Sequence, residues 1–301
     1  MLMGCSFEIT VLAQDSIEAN KNIELAVNEI RRIEKLISSW DEYSQTSKIN
    51  RNAGIKPVEV DQELFDLIKR SIQISGLTDG AFDISFASMD EIWRFDGSMS
   101  KFPPETIIKE SVAKVGYQNI IVDKQNNTVF LKQKGMKIGF GAIGKGYAAD
   151  KAKALLKENG ISSGIINASG DMSTWGKQQN GEAWNVAITN PMNKNKAFAL
   201  LPVTFGAVVT SGNYEKYVAF NDKRYSHIID PRTGYPASGI VSVSVFAPKA
   251  ELADALATSV FVMGKEAGLN RIEQIPGVEC IIIDEKGNIF TSDNIEIETY
   301  D

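Results

Sequence analysis

The stretch Tyr225-Ser-His-Ile-Ile-Asp-Pro-Arg-Thr-Gly-Tyr-Pro236 holds His227, the only histidine in the chain. Tyr225 to Ile229 alternate and are β-prone, which predicts a strand. Asp230-Pro231 then opens a turn: Asp suits the first turn position, and Pro presets φ at the second. His227, Asp230 and Arg232 are therefore expected close together at a sheet edge. A base, an acid and a guanidinium at one place suit phosphate chemistry. The alternative is a capped turn closed by a surface salt bridge.

Other stretches carry chemistry of the same kind. Asp254 and Thr258 are four residues apart on a predicted helix and share a face. A carboxylate and a hydroxyl are hard oxygen ligands that suit Mg²⁺. The alternative is a solvated helix face. Gly139-x-Gly141-x-x-Gly144 matches a dinucleotide fingerprint, but no acid ends the next predicted strand. Read as a P-loop, the same segment has Gly146 where Ser or Thr should bind Mg²⁺. What survives is a set of backbone N–H groups at a helix start, suited to an anion, or simply a close-packed turn. Asp83 follows an aromatic in Gly80-Ala-Phe-Asp-Ile-Ser85, as a site acid or a loop cap. Trp40 and Trp93 are candidates to stack on a planar ligand, or core residues. Ser211-Gly212 is a turn first and a phosphate contact second.

The totals narrow the class. The chain has 301 residues, 43% hydrophobic and 23% charged, with a net charge of −6. That composition suits a globular enzyme and argues against a nucleic-acid or anionic-membrane surface. An anionic ligand would need local neutralisation by a metal or a few placed Lys and Arg. Two cysteines, Cys5 and Cys280, form no CxxC and imply neither a zinc site nor a disulfide framework. No apolar run is long enough to span a membrane. Leu2-Met3-Gly4-Cys5 has the look of a lipoprotein cleavage box without the charged and apolar regions that make one work, so it is not a working signal here; a mature fragment whose export signal was cut away is the alternative left open.

The elements that position these residues follow from periodicity. Phe7 to Ala13 reads as a strand. Ser16 to Ile37 reads as an amphipathic helix with Ile23, Ala26, Ile30, Ile33 and Ile37 on one face and Ser16 as N-cap. Asp61 to Leu77 is a second helix, and Ala81 to Ser85 an extended piece. Ile120–Val122 and Thr128–Leu131 form a hairpin. Met136–Ile138, the glycine segment with its helix to Glu158, and Gly164–Ile166 suggest a βαβ unit. Strands with tight turns fill Trp184 to Val245. Ala250 to Met263 is a helix with Leu252, Leu256, Val260 and Met263 as its buried stripe. A short helix over Lys265–Gln274 and a hairpin around Glu285-Lys-Gly287 close the chain. Many antiparallel hairpins among a few helices fit α+β.

Together these motifs resemble the FAD:protein FMN transferase family, long named the thiamine-biosynthesis lipoprotein (ApbE) family. The resemblance rests on Met3-Gly4, Ser39…Ser47…Asn50 and Gly80-Ala-Phe-Asp83. It continues through Gly141-Ala-Ile-Gly-Lys-Gly-Tyr147…Asp150 and Thr210-Ser-Gly212. His227-Ile-Ile-Asp-Pro-Arg-Thr-Gly234 and Asp254-Ala-Leu-Ala-Thr258 complete it. It covers nearly the whole chain and implies one domain over residues 1–301, of α+β type, with FAD in a cleft between two lobes. It implies Mg²⁺ held by the Asp254 carboxylate, the Thr258 hydroxyl and the Gly144 carbonyl. Met3, Ala81, Phe82, Asp83, Gly141, Tyr147 and Ile228 would line the FAD site, with Trp40 near the flavin.

The implied reaction is transfer of FMN from FAD to a Thr or Ser hydroxyl of an acceptor protein, with release of AMP. Family acceptors are electron-transport subunits, and the implied location is extracytoplasmic, with a lipid-anchored precursor. His227 would take the hydroxyl's proton. A histidine ordinarily titrates near ~6.5, and general-base help is typically worth ~10²–10⁴ in rate. Attack by water instead would make the protein an FAD pyrophosphatase yielding FMN and AMP; a non-catalytic flavin-binding protein is the third reading. Two departures from the family pattern stand out: Cys5 follows Met3-Gly4 where Thr is usual, and Ala168-Ser-Gly170 replaces a glycine pair before Asp171.

Overall fold

The computed structural model describes residues 1–89, 92–189, 197–203, 206–213, 217–220 and 223–295. In chain order the elements begin with β1 (Phe7–Val11), α1 (Ser16–Ile37), α2 (Gln45–Arg51), β2 (Val58–Glu59), α3 (Gln62–Leu77) and α4 (Glu105–Val112). Then come β3 (Ile120–Asp123), β4 (Thr128–Leu131), α5 (Gly144–Glu158), β5 (Gly164–Ala168), β6 (Asp171–Trp175), β7 (Asn185–Thr189) and β8 (Ala197–Pro202). The chain continues through β9 (Ala207–Gly212), β10 (Tyr217–Phe220), β11 (Lys223–Ser226) and β12 (Ile240–Ala247). It finishes with α6 (Ala250–Met263), α7 (Lys265–Glu273), β13 (Glu279–Asp284) and β14 (Ile289–Thr291). Parts of the strand-rich stretch expected over Trp184–Val245 lie outside the described residues.

The fold is α+β. A seven-stranded sheet runs β1-β5-β6-β9-β12-β13-β14, and every pairing in it is antiparallel. A three-stranded sheet, β2-β4-β3, and two hairpins, β7-β8 and β10-β11, complete it. One core joins α1, α3 and α5 to β1 and β5; a second joins α6 and α7 to β12 and β13.

Helix α1 shows how the parts are placed. Ala26, Ile30, Ile33 and Ile37 are buried, as their spacing predicts, while Ile23 is half-buried. Burying one Ile is worth about 1.5–3 kcal/mol, against about 1 kcal/mol for a cap. Burial therefore docks the helix, and capping sets its boundary. The cap is Asp15, not Ser16: its carboxylate accepts from the N–H groups of Ile17 and Glu18 at 2.9 and 2.8 Å. Ser16 is the first helical residue.

The expected βαβ unit does not form. Met136–Ile138 is not a strand because side chains occupy its backbone groups. Asn50 bonds both the N–H and the carbonyl of Ile138, and Ser88 bonds both those of Lys137. Strand β5 instead lies antiparallel between β1 and β6. The Ala81–Ser85 piece also departs from the extended form: Asp83 captures the N–H and hydroxyl of Ser85 at 2.8 and 2.6 Å and starts a 3₁₀ turn over Ile84–Ser88. Helix α4 escaped the periodicity because only one of its apolar residues, Ile108, is buried while Ile107 is exposed.

Glu63 ties three helices. Arg32 of α1 and Lys151 of α5 reach it at 2.6 and 2.9 Å, and the Tyr147 hydroxyl donates to it at 2.7 Å. Burial pushes the Glu63 carboxyl up, but the bonds from Arg32, Lys151 and Tyr147 outweigh it and bring it to about 2. A carboxyl depressed on folding stabilises above its ordinary value, near ~4.3. That contribution is lost as pH falls from there through about 2. Glu63→Gln should therefore be less stable than the parent at pH 7, and the gap should narrow as pH falls from 5 to 3 towards about 2. Urea unfolding at pH 7, 5 and 3 checks this.

Candidate active site

A cavity of about 550 Å³ collects side chains from seven segments. Ser39 and Trp40 come from the loop after α1, and Ala81 to Asp83 from the segment after α3. Gly139 to Ala142 and Lys145 come from the turn into α5. Asp171 opens β6, Thr210 to Gly212 end β9, His227 to Ile229 follow β11, and Asp254 and Thr258 stand on α6.

Of the residues expected at the site, Trp40, Ala81, Phe82, Asp83, Gly141, His227, Ile228, Asp254 and Thr258 line this cavity. Met3, Gly144 and Tyr147 do not. Tyr147 is buried, with its hydroxyl on Glu63 and the Arg70 guanidinium over its ring. Gly144 opens α5 one residue before Lys145, and a Cβ there would meet the Met3 methyl at 3.5 Å. Met3 itself packs half-buried against the core with a positive φ of 51°.

The trio expected around His227 separates. Strand β11 ends at Ser226, one residue short of the imidazole. The Ser226 hydroxyl accepts from the Ile228 N–H at 3.0 Å, and the Ala237 N–H closes on the Ile228 carbonyl at 2.8 Å. These bonds fix the backbone on both sides of the cavity-lining His227-Ile228 pair. The Phe95 ring meets the imidazole edge-on at 6.3 Å. Asp230 and Arg232 pair with each other at 2.8 and 2.9 Å, and Asp230 also accepts from the Arg232 N–H. They form the capped turn with a salt bridge, leaving His227 alone of the three in the cavity.

Helix α6 is buried on nearly every side, so Asp254 is not on a solvated face. Leu256 and Val260 are buried as expected, while Leu252 and Met263 are only partly so; Ala253, Ala255 and Ala257 fill the rest. The Asp254 carboxyl is 4% exposed and accepts from the Gly146 N–H at 3.1 Å. Burial pushes it up, and the nearby Lys145 charge and the Gly146 N–H only partly oppose this. Thr258 is half-buried on the same face. Among the described residues, no three His, Cys, Asp or Glu side chains form a metal cluster. Asp254 and Thr258 bring a buried carboxylate and a hydroxyl to the cavity, hard oxygen donors that fit Mg²⁺ rather than a soft metal.

Helices α5 and α6 meet at Gly146. A Cβ there would stand 2.2 Å from the Ala250 carbonyl oxygen. That atom is backbone and cannot rotate away. Gly146→Ala should therefore cost about 1–3 kcal/mol or more, read by urea unfolding, and should displace the N–H that holds Asp254. Asp150 fastens the same junction, accepting from the Ser173 hydroxyl at 2.9 Å and the Glu251 N–H at 3.0 Å. Asp83 is likewise a builder: buried, it accepts from Ser85 and from the Tyr117 N–H at 2.7 Å. Burial raises its carboxyl above the usual range against those bonds. Trp40 differs from all of these, being 88% exposed at the rim.

Sequence reasoning left Lys145 and Asp171 without roles. Both line the cavity, with Lys145 Nζ 2.5 Å from Asp171 Oδ2. The signal was the Ala168-Ser-Gly-Asp171 turn. Ser169 and Gly170 both have positive φ, 52° and 102°, which closes a two-residue hairpin and delivers Asp171 to the sheet end.

The ApbE family model matches residues 3–282. An FAD:protein FMN transferase of Klebsiella pneumoniae is 30% identical over 294 residues, covering 97% of this chain and 90% of that protein. One from Treponema pallidum is 31% identical over 281 residues, covering 88% and 78%. The ApbE protein of Thermotoga maritima superposes with a TM-score of 0.89 at 34% identity, over 97% of this chain and 95% of that one. With the motifs in order, the same fold and a family match over nearly its whole length, the chain belongs to the ApbE family.

Proposed function

We propose that this protein is a Mg²⁺-dependent flavin transferase that passes FMN from FAD to a Thr or Ser hydroxyl of an acceptor protein and releases AMP. The observation that carries the reading is that His227, Asp254 and Thr258 line one cavity. The relatives named FAD:protein FMN transferase support it.

The cavity's residues divide the work. Trp40 offers an exposed ring at the rim on which an isoalloxazine can stack. Buried Ala81 and Phe82 give one wall its shape. His227 takes the proton of the acceptor hydroxyl as its oxygen bonds to the FMN-side phosphorus. The bond from that phosphorus to the bridging oxygen breaks, and the electron pair leaves with AMP. Asp254 and Thr258, with the Gly144 carbonyl, would hold Mg²⁺. When bound, the ion neutralises charge on the diphosphate. Three described carboxylates, Asp83, Asp171 and Asp254, line the cavity with one ammonium, Lys145, so a doubly charged diphosphate needs that added positive charge.

Among the described residues no helix is long and apolar enough to cross a membrane. By the family pattern the protein works at the extracytoplasmic face, from a lipid-anchored precursor, on electron-transport subunits. The test is to incubate the protein with FAD and Mg²⁺ and follow AMP with and without a candidate acceptor. AMP that depends on acceptor supports transfer. Equal AMP without acceptor means hydrolysis, and tight FAD retention with no AMP means a binding protein.

A further inference from the structure

We propose that the aromatic patch beside His227 docks the acceptor: an extended segment of the acceptor protein lies across Phe102 and Tyr235, with apolar side chains two residues from the Thr or Ser that takes the FMN. The inference rests on the transferase reading above and adds where the second substrate sits. Trp93, a candidate flavin stacker by sequence, is not among the described residues lining the cavity. It is buried in a separate small core with Ile108 and Val218, and its indole N–H donates to the Gly234 carbonyl at 2.9 Å. Phe102 meets Trp93 edge-on at 5.1 Å and Tyr225 at 5.4 Å, and stacks on Tyr235 at 6.4 Å. Backed by buried Trp93, Phe102 nevertheless stays 43% exposed and Tyr235 36%.

The patch is continuous with the site. Ile229 lines the cavity and also packs against this aromatic core. It bridges to Pro236, the neighbour of Tyr235. Phe95 packs against the same core and meets the imidazole edge-on. The rings therefore begin where the acceptor hydroxyl must arrive. Phe102 and Tyr235 do not line the described cavity, so a nucleotide there leaves them open. Open, well-backed aromatic rings are the anchors that protein interfaces use. This pair is also held stiffly, which lowers the ordering cost of binding. Gly234, just before Tyr235, has a φ of 78°, and a Cβ on it would stand 2.6 Å from Val112 and 2.7 Å from Ile108 of α4. In an extended chain every second side chain shares a face, about 7 Å apart. A hydroxyl turned to His227 thus turns the side chains two residues away towards the rings, of which Phe95 is centred 6.3 Å from the imidazole.

Two short synthetic peptides with one central Thr test this. One carries Leu two residues to each side of the Thr and the other carries Gln there, with Ala and Gln elsewhere. Each is incubated with the protein, FAD and Mg²⁺, and mass spectrometry follows FMN on the peptide. The parent should favour the Leu peptide by about tenfold in kcat/KM. Phe102→Ser/Tyr235→Ser should erase that preference through KM for the peptide, while FAD affinity, read by flavin fluorescence, stays within about twofold of the parent. Retained FAD affinity also reports an intact fold. Phe102→Leu should keep most of the preference. If the double variant no longer binds FAD, Phe102→Lys alone decides, since its stem can still cover Trp93 while its charge spoils the platform. A preference unchanged in the variants, no preference in the parent, or no labelling of either peptide would overturn the proposal. So would a parent dimer that these variants dissociate with peptide kinetics unchanged, which would assign the patch to a second copy of the chain. None of these outcomes touches the transferase reading, which acceptor-dependent AMP release decides separately.

Discussion

Asp254→Asn should lower FAD turnover by about 100-fold or more, the scale seen when one preorganised electrostatic group is removed from a reaction centre. That is about 2.7 kcal/mol of barrier. The variant should also stop responding to Mg²⁺ titration. The same substitution should leave the fold as stable as the parent or more so in the absence of divalent ions. Asp254 is buried, its charged form is disfavoured by burial, and its bond is from the Gly146 N–H, which an Asn oxygen can also accept. Stability held and activity lost is the pattern of a group kept for function against its own desolvation. Turnover assays and thermal melts in EDTA check the two halves together. Loss of both would instead mark Asp254 as a structural tie between α5 and α6.

His227→Ala should lower the rate by ~10²–10⁴, with little change in KM for FAD. A proton acceptor for the incoming hydroxyl acts in the transition state and contributes little to nucleotide binding. His227 is half-buried on a backbone held by Ser226 and Ala237, so the fold should tolerate the loss of the ring. His227→Gly with added imidazole should recover part of the activity. Steady-state kinetics on FAD with a saturating acceptor decide. A variant keeping more than a tenth of parental kcat would remove His227 from the base role.

Local signals were legible where local physics decides. The Ile30–Ile33–Ile37 spacing placed α1, and the residues around Gly287 marked the last hairpin. Gly264, at a φ of 84°, ends α6 directly after Met263, where the helix was expected to stop. What failed were segments whose backbone is claimed by distant side chains. Ile138 is bonded to Asn50 and Lys137 to Ser88, so a β-prone run became a tethered coil. No pattern within Met136–Ile138 reveals those partners. The order β6-β9-β12 is equally non-local, and it brings Asp171, Thr210 and α6 to one place.

The site was legible by residue type more than by surroundings. His227, Asp254 and Thr258 have side chains whose chemistry names a task, and all three line the cavity. The burial of Asp254 was not legible, because α6 packs on α5, β9 and β12 at once through alanines that carry little periodic signal. Asp230 and Arg232 looked equally chemical. Their bidentate pairing two residues apart turned them into a turn lock, as the plainer reading of that stretch had it.

A crystal structure with FAD and Mg²⁺ bound tests the central claim most directly. The account predicts the diphosphate between His227 and Asp254, the ion on Asp254 and Thr258, and the flavin ring at Trp40. Density for the nucleotide outside this cavity, or with its phosphates turned away from the imidazole and the α6 carboxylate, would contradict it.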